Sequence, residues 1–289
     1  MKIQVLETKK QKMVLSEESS FFIGYITNVG TNEKHQTNED AVNFASHPKD
    51  NDLKIFVVAD GTSDSIYGAQ AAQYLTEELL QWFRGLEIAY INTPQTLKSI
   101  FWGKMRDINK SLLEMYGGNG STTLVCAIVG KNETMIANSG DSRGYIIQNG
   151  ILKQLTADHL VWFKYNNPDS IDKDDIRFMK GNSYISRCIG GNIRDFHPDA
   201  LVIDNSDYDS LLLFTDGITD IVSDERIKFI YDHNLPSDVL LEIVNEAINS
   251  TPELISAEAK KRFEKRQYMI NDTTNPGKDN ATMLLYKKY

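Results

Sequence analysis

Short, almost wholly apolar runs rich in β-branched residues recur along this chain, each closed by Gly, Asn, Asp or Ser. They are 55–59 (IFVVA), 122–129 (TTLVCAIV), 134–138 (TMIAN), 145–148 (YIIQ), 211–215 (LLLFT) and 281–286 (ATMLLY). Runs of this length and composition predict buried strands. The turn residues GKNE at 130–133 predict a hairpin, and QNG at 148–150 marks a second tight turn. Helical spacing is confined to a few places. Ala71, Leu75, Leu79 and Phe83 share one face of a helix over 68–84, with Gly85 as its stop. Thr93-Pro94 forms an N-cap and first turn for a second helix, whose stripe is Leu97, Phe101, Met105, Ile108 and Leu112 and which ends at Gly117-Gly118. Further helices are predicted over 236–248 and, more charged, over 257–266. Strands and helices do not alternate strictly, which argues against a doubly wound parallel sheet and predicts an α+β sandwich. No repeat and no Pro/Gly/Ser linker divides the chain, so a single domain over 1–289 is expected. Its first 20 residues form an extension in which KIQVLE suits an extra edge strand.

The position of the acids relative to these runs is informative. Asp60-Gly61 directly follows IFVVA, and Asp216-Gly217 directly follows LLLFT. Asp141 lies just past TMIAN, Asp279-Asn280 precedes ATMLLY, and Glu39-Asp40 opens the AVNF segment. Each placement projects a carboxylate from a stiff support, and a neighbouring glycine admits close approach. Taken singly, each is an ordinary polar turn. If the strand ends converge, the like charges require a partner, and hard divalent cations, Mn²⁺ or Mg²⁺, suit an all-oxygen cluster. Five histidines without H-E-x-x-H spacing disfavour zinc.

Net charge is −9, which argues against nucleic acid as a partner. An anionic substrate would then need bound cations to invert the local potential. Cys126 and Cys188 predict reduced, buried thiols. The N-terminus lacks the apolar core of a signal peptide, and no apolar run is long enough to cross a bilayer. A cytoplasmic monomer with no membrane partner is expected.

Eight stretches, taken in order, resemble the PPM family of metal-dependent type 2C serine/threonine phosphatases. They are TNVG…TNEDAV (27–42), VVADG (57–61), GSTTLVCAIV (120–129), ANSGDSRGYI (137–146), LTADH (155–159), SRCIGG (186–191), LLLFTDGITDIVSDERI (211–227) and KDNATMLL (278–285). The resemblance implies a four-layer αββα sandwich of two mainly antiparallel sheets flanked by helices, with a variable flap at 160–183. It implies hydrolysis of phosphoserine and phosphothreonine by water activated between two metal ions, without a protein nucleophile. Asp60 would bridge the two ions, with the Gly61 carbonyl on one, and Asp216 and Asp279 on the other. Catalysis through the activated water would rest on Asp60 and Asp216. Glu39 and Asp40 match the family's acidic pair, which binds metal directly or through water, and Asp141 matches a third, looser site. The implied partners are phosphorylated proteins, including a Ser/Thr kinase and its targets.

The chain departs from the family at two places. Lys34 and His35 stand where members carry the arginine that grips substrate phosphate, and neither offers its bidentate fork. Thr62-Ser63-Asp64-Ser65 follows Gly61 where a histidine or a further glycine is usual, which leaves the leaving-group proton without an evident donor. Those departures motivate an alternative, a weak or inactive member acting as a regulatory binding module. His159 and Arg143 are expected to be structural, Arg143 by pairing with a nearby acid. A different metal-dependent phosphoesterase, such as a nuclease, is a third reading that the acidic surface disfavours.

Overall fold

The computed structural model describes residues 2–31, 37–62, 65–160, 185–192, 196–249 and 279–289. Lys34, His35, the flap beyond Leu160 and the helix expected over 257–266 lie outside the described residues. The strands are β1 (Lys2–Glu7), β2 (Gln11–Glu18), β3 (Phe21–Asn28), β4 (Asp40–His47), β5 (Asp50–Asp60), β6 (Asn119–Thr122) and β7 (Leu124–Val129). They continue with β8 (Glu133–Ser139), β9 (Arg143–Gln148), β10 (Ile151–Gln154), β11 (Ile189–Gly191), β12 (Asp199–Asp204), β13 (Ser210–Phe214) and β14 (Ala281–Lys288). The helices are α1 (Gly68–Gly85), α2 (Ile88–Ile91), α3 (Pro94–Tyr116), α4 (Asp216–Thr219), α5 (Asp224–His233) and α6 (Pro236–Asn249).

A seven-stranded sheet runs β1-β2-β3-β14-β13-β9-β10 and a five-stranded sheet runs β12-β8-β7-β5-β4, with β11 and β6 forming a small third pair. Every ladder in them is antiparallel. The two large sheets stack face to face. Helices α1 and α3 cover the outer face of the five-stranded sheet, and α5 and α6 cover that of the seven-stranded one. This is the four-layer αββα sandwich.

The layering explains why the apolar runs are unbroken. Successive side chains on a strand point to opposite faces. In β5, Ile55, Val57 and Ala59 pack toward α1 and α3, while Phe56 and Val58 pack against the other sheet. In β13, Leu212 and Phe214 lie under the helices, while Leu211 and Leu213 lie between the sheets. With both faces buried, no polar phase is left, and each such side chain contributes about 1.5–3 kcal/mol.

The hairpins form where the turn residues place them. Asn149 and Gly150 both have positive φ (51° and 74°) and join β9 to β10 in a two-residue type I′ turn. The GKNE turn joins β7 to β8, with Gly130 N–H donating to the Glu133 carbonyl at 2.9 Å. KIQVLE is the edge strand β1.

Three local expectations are corrected. The run 122–129 is split at Thr123, whose N–H donates to the Asp60 carbonyl at 2.8 Å instead of continuing the ladder. Thr93 precedes Pro94 as expected, but its hydroxyl donates back to the Ala89 carbonyl and caps nothing. Gly85 is the last residue of α1 and not its stop; the chain turns extended at Leu86. Helix α5, in the mixed-charge segment DERIKFIYDH, carries too weak an apolar stripe to be foreseen. Its Ser223 accepts the Arg226 N–H as a side-chain cap.

Candidate metal centre

The acids come together at one edge of the sandwich, where both sheets end. Asp60 is the last residue of β5, and its cross-strand partner is Asp40, the first residue of β4. The Asp60 backbone is pinned on both sides. Its N–H donates to Thr123 Oγ1 at 3.0 Å, and its carbonyl accepts from Thr123 N–H and, at 2.9 Å, from Thr122 Oγ1. Asp216 opens α4 one residue beyond Thr215, which follows β13, and Asp279-Asn280 leads into β14. Asn280 ties the sheets at this edge. Its Oδ1 accepts the Glu39 N–H at 2.7 Å and its Nδ2 donates to the Val29 carbonyl at 2.8 Å. The Glu39 carbonyl in turn accepts the Gly61 N–H at 3.0 Å. The N-E-D, D-G and D-N segments therefore share one backbone scaffold.

The electrostatics make the assembly explicit. Asp60 is held well above the usual carboxylate range, first by burial and then by repulsion from Asp40, Asp216 and Asp279. Asp216 is raised by burial and then by Asp141, Asp279 and Asp220. Asp40 is pushed up to about 7 by burial and by Asp279, with the Thr282 and Thr215 hydroxyls acting against the rise. Asp141 is pushed up to about 7 by burial, Asp158 and Asp220, which Arg143 partly offsets. Asp40, Asp60, Asp141, Asp216 and Asp279 thus form one chain of mutually repelling carboxylates. Asp220, four residues past Asp216, extends it, and the spacing of the sequence does not single it out. The other predicted residues divide between two places: Glu39 and Gly61 lie in the scaffold, while Lys34 and His35 lie outside the described residues.

The donor set is all oxygen. Asp40 Oδ1 and Asp216 Oδ1 are buried without a hydrogen-bond partner, and a buried acceptor left unsatisfied costs about 1–3 kcal/mol. Among the described residues no three His, Cys, Asp or Glu side chains close around a common point, so the carboxylates are neighbours and not a finished cage. Their chemistry fits hard divalent cations.

A pH consequence follows. A carboxyl whose pKa is higher in the folded than in the unfolded state contributes stability at low pH and loses it as pH rises through the folded value. Without divalent cation, the melting temperature should therefore fall as pH rises from about 4 through about 7, the folded value of Asp40 and Asp141. Millimolar Mn²⁺ should flatten that decline, and so in part should Asp40→Asn. Thermal melts across the range check it, and equal slopes with and without Mn²⁺ would contradict it.

Two side chains beside the cluster have architectural work. Buried Arg143 pairs with Asp158 through Nε (2.8 Å to Oδ1) and Nη2 (2.5 Å to Oδ2). His159 Nδ1 accepts the Gly140 N–H at 3.1 Å, which leaves the proton on Nε2 to donate to Asp199 Oδ2 at 3.0 Å. Burial lowers the His159 pKa, consistent with this neutral form. After Gly61, the Thr62 hydroxyl is 2.6 Å from Ser121 Oγ and is held in the scaffold.

A family model described as protein phosphatase 2C matches residues 27–162. Serine/threonine phosphatase stp of Listeria welshimeri is 31% identical over 187 residues, covering 62% of this chain and 72% of that protein. Protein phosphatase PhpP of Streptococcus pneumoniae is 25% identical over 237 residues, covering 78% and 92%. Among solved structures, serine/threonine phosphatase Stp1 from Staphylococcus aureus superposes with a TM-score of 0.71 at 25% identity, covering 92% of this chain and 94% of that one. The serine/threonine phosphatase PstP/Ppp of Mycobacterium tuberculosis, at 19% identity, shares the fold with a TM-score of 0.68 over 93% and 98%.

Proposed function

This chain belongs to the protein phosphatase 2C family, and from that premise we propose that it is a metal-dependent serine/threonine protein phosphatase acting on phosphoproteins. The observation that carries the proposal is the run of carboxylates at the sandwich edge, which repel one another and leave two buried oxygens without donors. We assign Asp60, the Gly61 carbonyl, Asp216 and Asp279 to two cations, with Glu39 and Asp40 beside them and Asp141 at a looser third position. Manganese or magnesium is the choice the oxygen donors favour. Cations bound there would supply water with a pKa near neutrality and neutralise charge on the phosphoryl oxygens.

The chain's own residues do the rest. Asp40 is buried while Asp60, Asp141 and Asp216 are partly exposed, so the cluster opens on one side, where a phosphorylated side chain can enter. Lys34 and His35 are assigned to the substrate phosphate. Thr62 is engaged with Ser121, and His47, His159 and His233 are bonded to Leu86, Asp199 and Phe229. We therefore assign leaving-group protonation to solvent. The substrate class includes a Ser/Thr kinase and its targets, and the acidic surface argues against nucleic acid. No described helix is long and apolar enough to cross a membrane. The buried free thiols Cys126 and Cys188 suit a reducing cytoplasm, where we expect a monomer.

The test is hydrolysis of a phosphothreonine peptide titrated with Mn²⁺. Turnover should rise with the metal and vanish with EDTA. Activity that survives chelation would refute the proposal.

A further inference from the structure

Asp40 is held in a way that the metal-binding residues alone do not explain. Its Oδ2 accepts the Thr215 hydroxyl at 3.0 Å, and the nearby Thr282 hydroxyl favours its charged form. Its Oδ1 has no partner. Both threonines are fully buried, and a neighbouring backbone donor sets the direction of the Thr215 proton.

Thr215 Oγ1 accepts the Thr282 N–H at 3.1 Å, so its own proton is left for the carboxylate, which can only accept. Thr282 is itself anchored. Asn38 Nδ2 donates to Thr27 Oγ1 at 2.6 Å, and Thr27 lies directly across the ladder from Thr282, with their hydroxyl oxygens 2.7 Å apart. The Thr215 hydroxyl thus reaches Asp40 with its proton direction set by a held neighbour on β14.

We propose that Thr215 is a positioning residue which, oriented by the Thr282 N–H, holds Oδ2 of the Asp40 carboxylate and so leaves Oδ1 to a cation. The inference rests on the phosphatase reading of this centre and adds to it a side chain that touches neither metal nor substrate. Hydrogen-bonded supports of a ligand typically carry a 10–100-fold share of metal affinity. Thr282 also links Thr215 to Thr27 and, through it, to Asn38, so the segment before Asp40 and the support of its carboxylate are set together.

Calorimetric titration of Mn²⁺ into the full chain tests this, using wild type, Thr215→Val, Thr215→Ala and Thr215→Ser. The valine and alanine variants should each weaken Mn²⁺ binding by about 10–100-fold. Serine, which keeps the hydroxyl, should restore wild-type affinity. In an Asp40→Ala background the Thr215 changes should have no further effect, because the group they orient is gone. Valine and alanine variants that bind Mn²⁺ like wild type would overturn the proposal. So would a Thr215→Ser variant as weak as Thr215→Val, since packing would then be the cause. Thr215→Ala removes the same hydroxyl and carries the same test should Thr215→Val fail to fold. Wild type that neither binds Mn²⁺ nor hydrolyses phosphopeptide refutes the phosphatase reading itself, whereas an active wild type with unaffected valine and alanine variants refutes only the positioning role.

Discussion

Asp60→Asn should abolish most Mn²⁺-dependent phosphopeptide turnover while the metal-free protein melts no lower than wild type. The two halves come from the same geometry. Asparagine matches aspartate in shape, and the hydrogen bonds that fix residue 60 are made by its backbone to Thr122 and Thr123, which the substitution leaves intact. The side chain of Asp60 sits among Asp40, Asp216 and Asp279 and is raised by all three. Removing its charge relieves repulsion in the metal-free fold, so stability should hold or rise. The loss falls on function. A central carboxylate that anchors divalent cations supports several kcal/mol of charge stabilisation, and each 1.36 kcal/mol is a factor of ten in rate. Turnover should therefore drop roughly a thousandfold at saturating Mn²⁺. Initial rates on a phosphothreonine peptide, paired with metal-free melts, decide it. Turnover within tenfold of wild type would remove Asp60 from the centre of the site.

Burial determines how much of this fold the residue order discloses. Strands β5, β7, β13 and β14 are covered on both faces, which writes them as unbroken apolar runs no loop would tolerate. The acids at their ends are therefore recognisable from the residue order alone. Strands β2, β10 and β12 carry exposed positions and mixed composition, so their runs do not stand out. The site is legible as a set of strand-end acids, but its cross-sheet contacts are not. Nothing in the order of residues says that Asp40 faces Asp60 across a ladder, or that Asn280 reaches both Val29 and Glu39. Thr27, Thr215 and Thr282 are hidden for another reason. Threonine is an ordinary strand former, and only coordinates show the Thr215 hydroxyl turned onto Asp40 with Thr282 and Thr27 linked behind it. Asp220 escapes notice because it lies past the T-D-G turn, where α4 brings it back beside Asp141 and Asp216.

Gly217→Ala sets two effects against each other and shows which controls the site. Gly217 lies inside α4, with no positive φ to demand glycine. Helix propensity alone would make alanine about 1 kcal/mol better there. The packing says the opposite. A Cβ on residue 217 would stand 1.9 Å from the Asn280 carbonyl oxygen and 2.9 Å from its carbon, both backbone atoms. No rotamer change removes that contact, so the segment leading into β14 must move by about an ångström relative to α4. That shift separates Asp216 from Asp279, on either side of the contact, and disturbs the Asn280 bonds that hold Glu39. Overpacking of this kind costs typically ~1–3 kcal/mol, so the melting temperature should fall. Mn²⁺ affinity should fall further than the loss of stability accounts for, because the strain is delivered between two of the assigned ligands. Gly85→Ala is the control: it sits at the end of α1 with nothing within 4 Å of its added methyl and should be neutral or stabilising. Calorimetry and melts on the two variants separate the readings. A Gly217→Ala protein as stable and as metal-avid as wild type would mean that α4 and the Asn280 carbonyl can part without moving the carboxylates they carry.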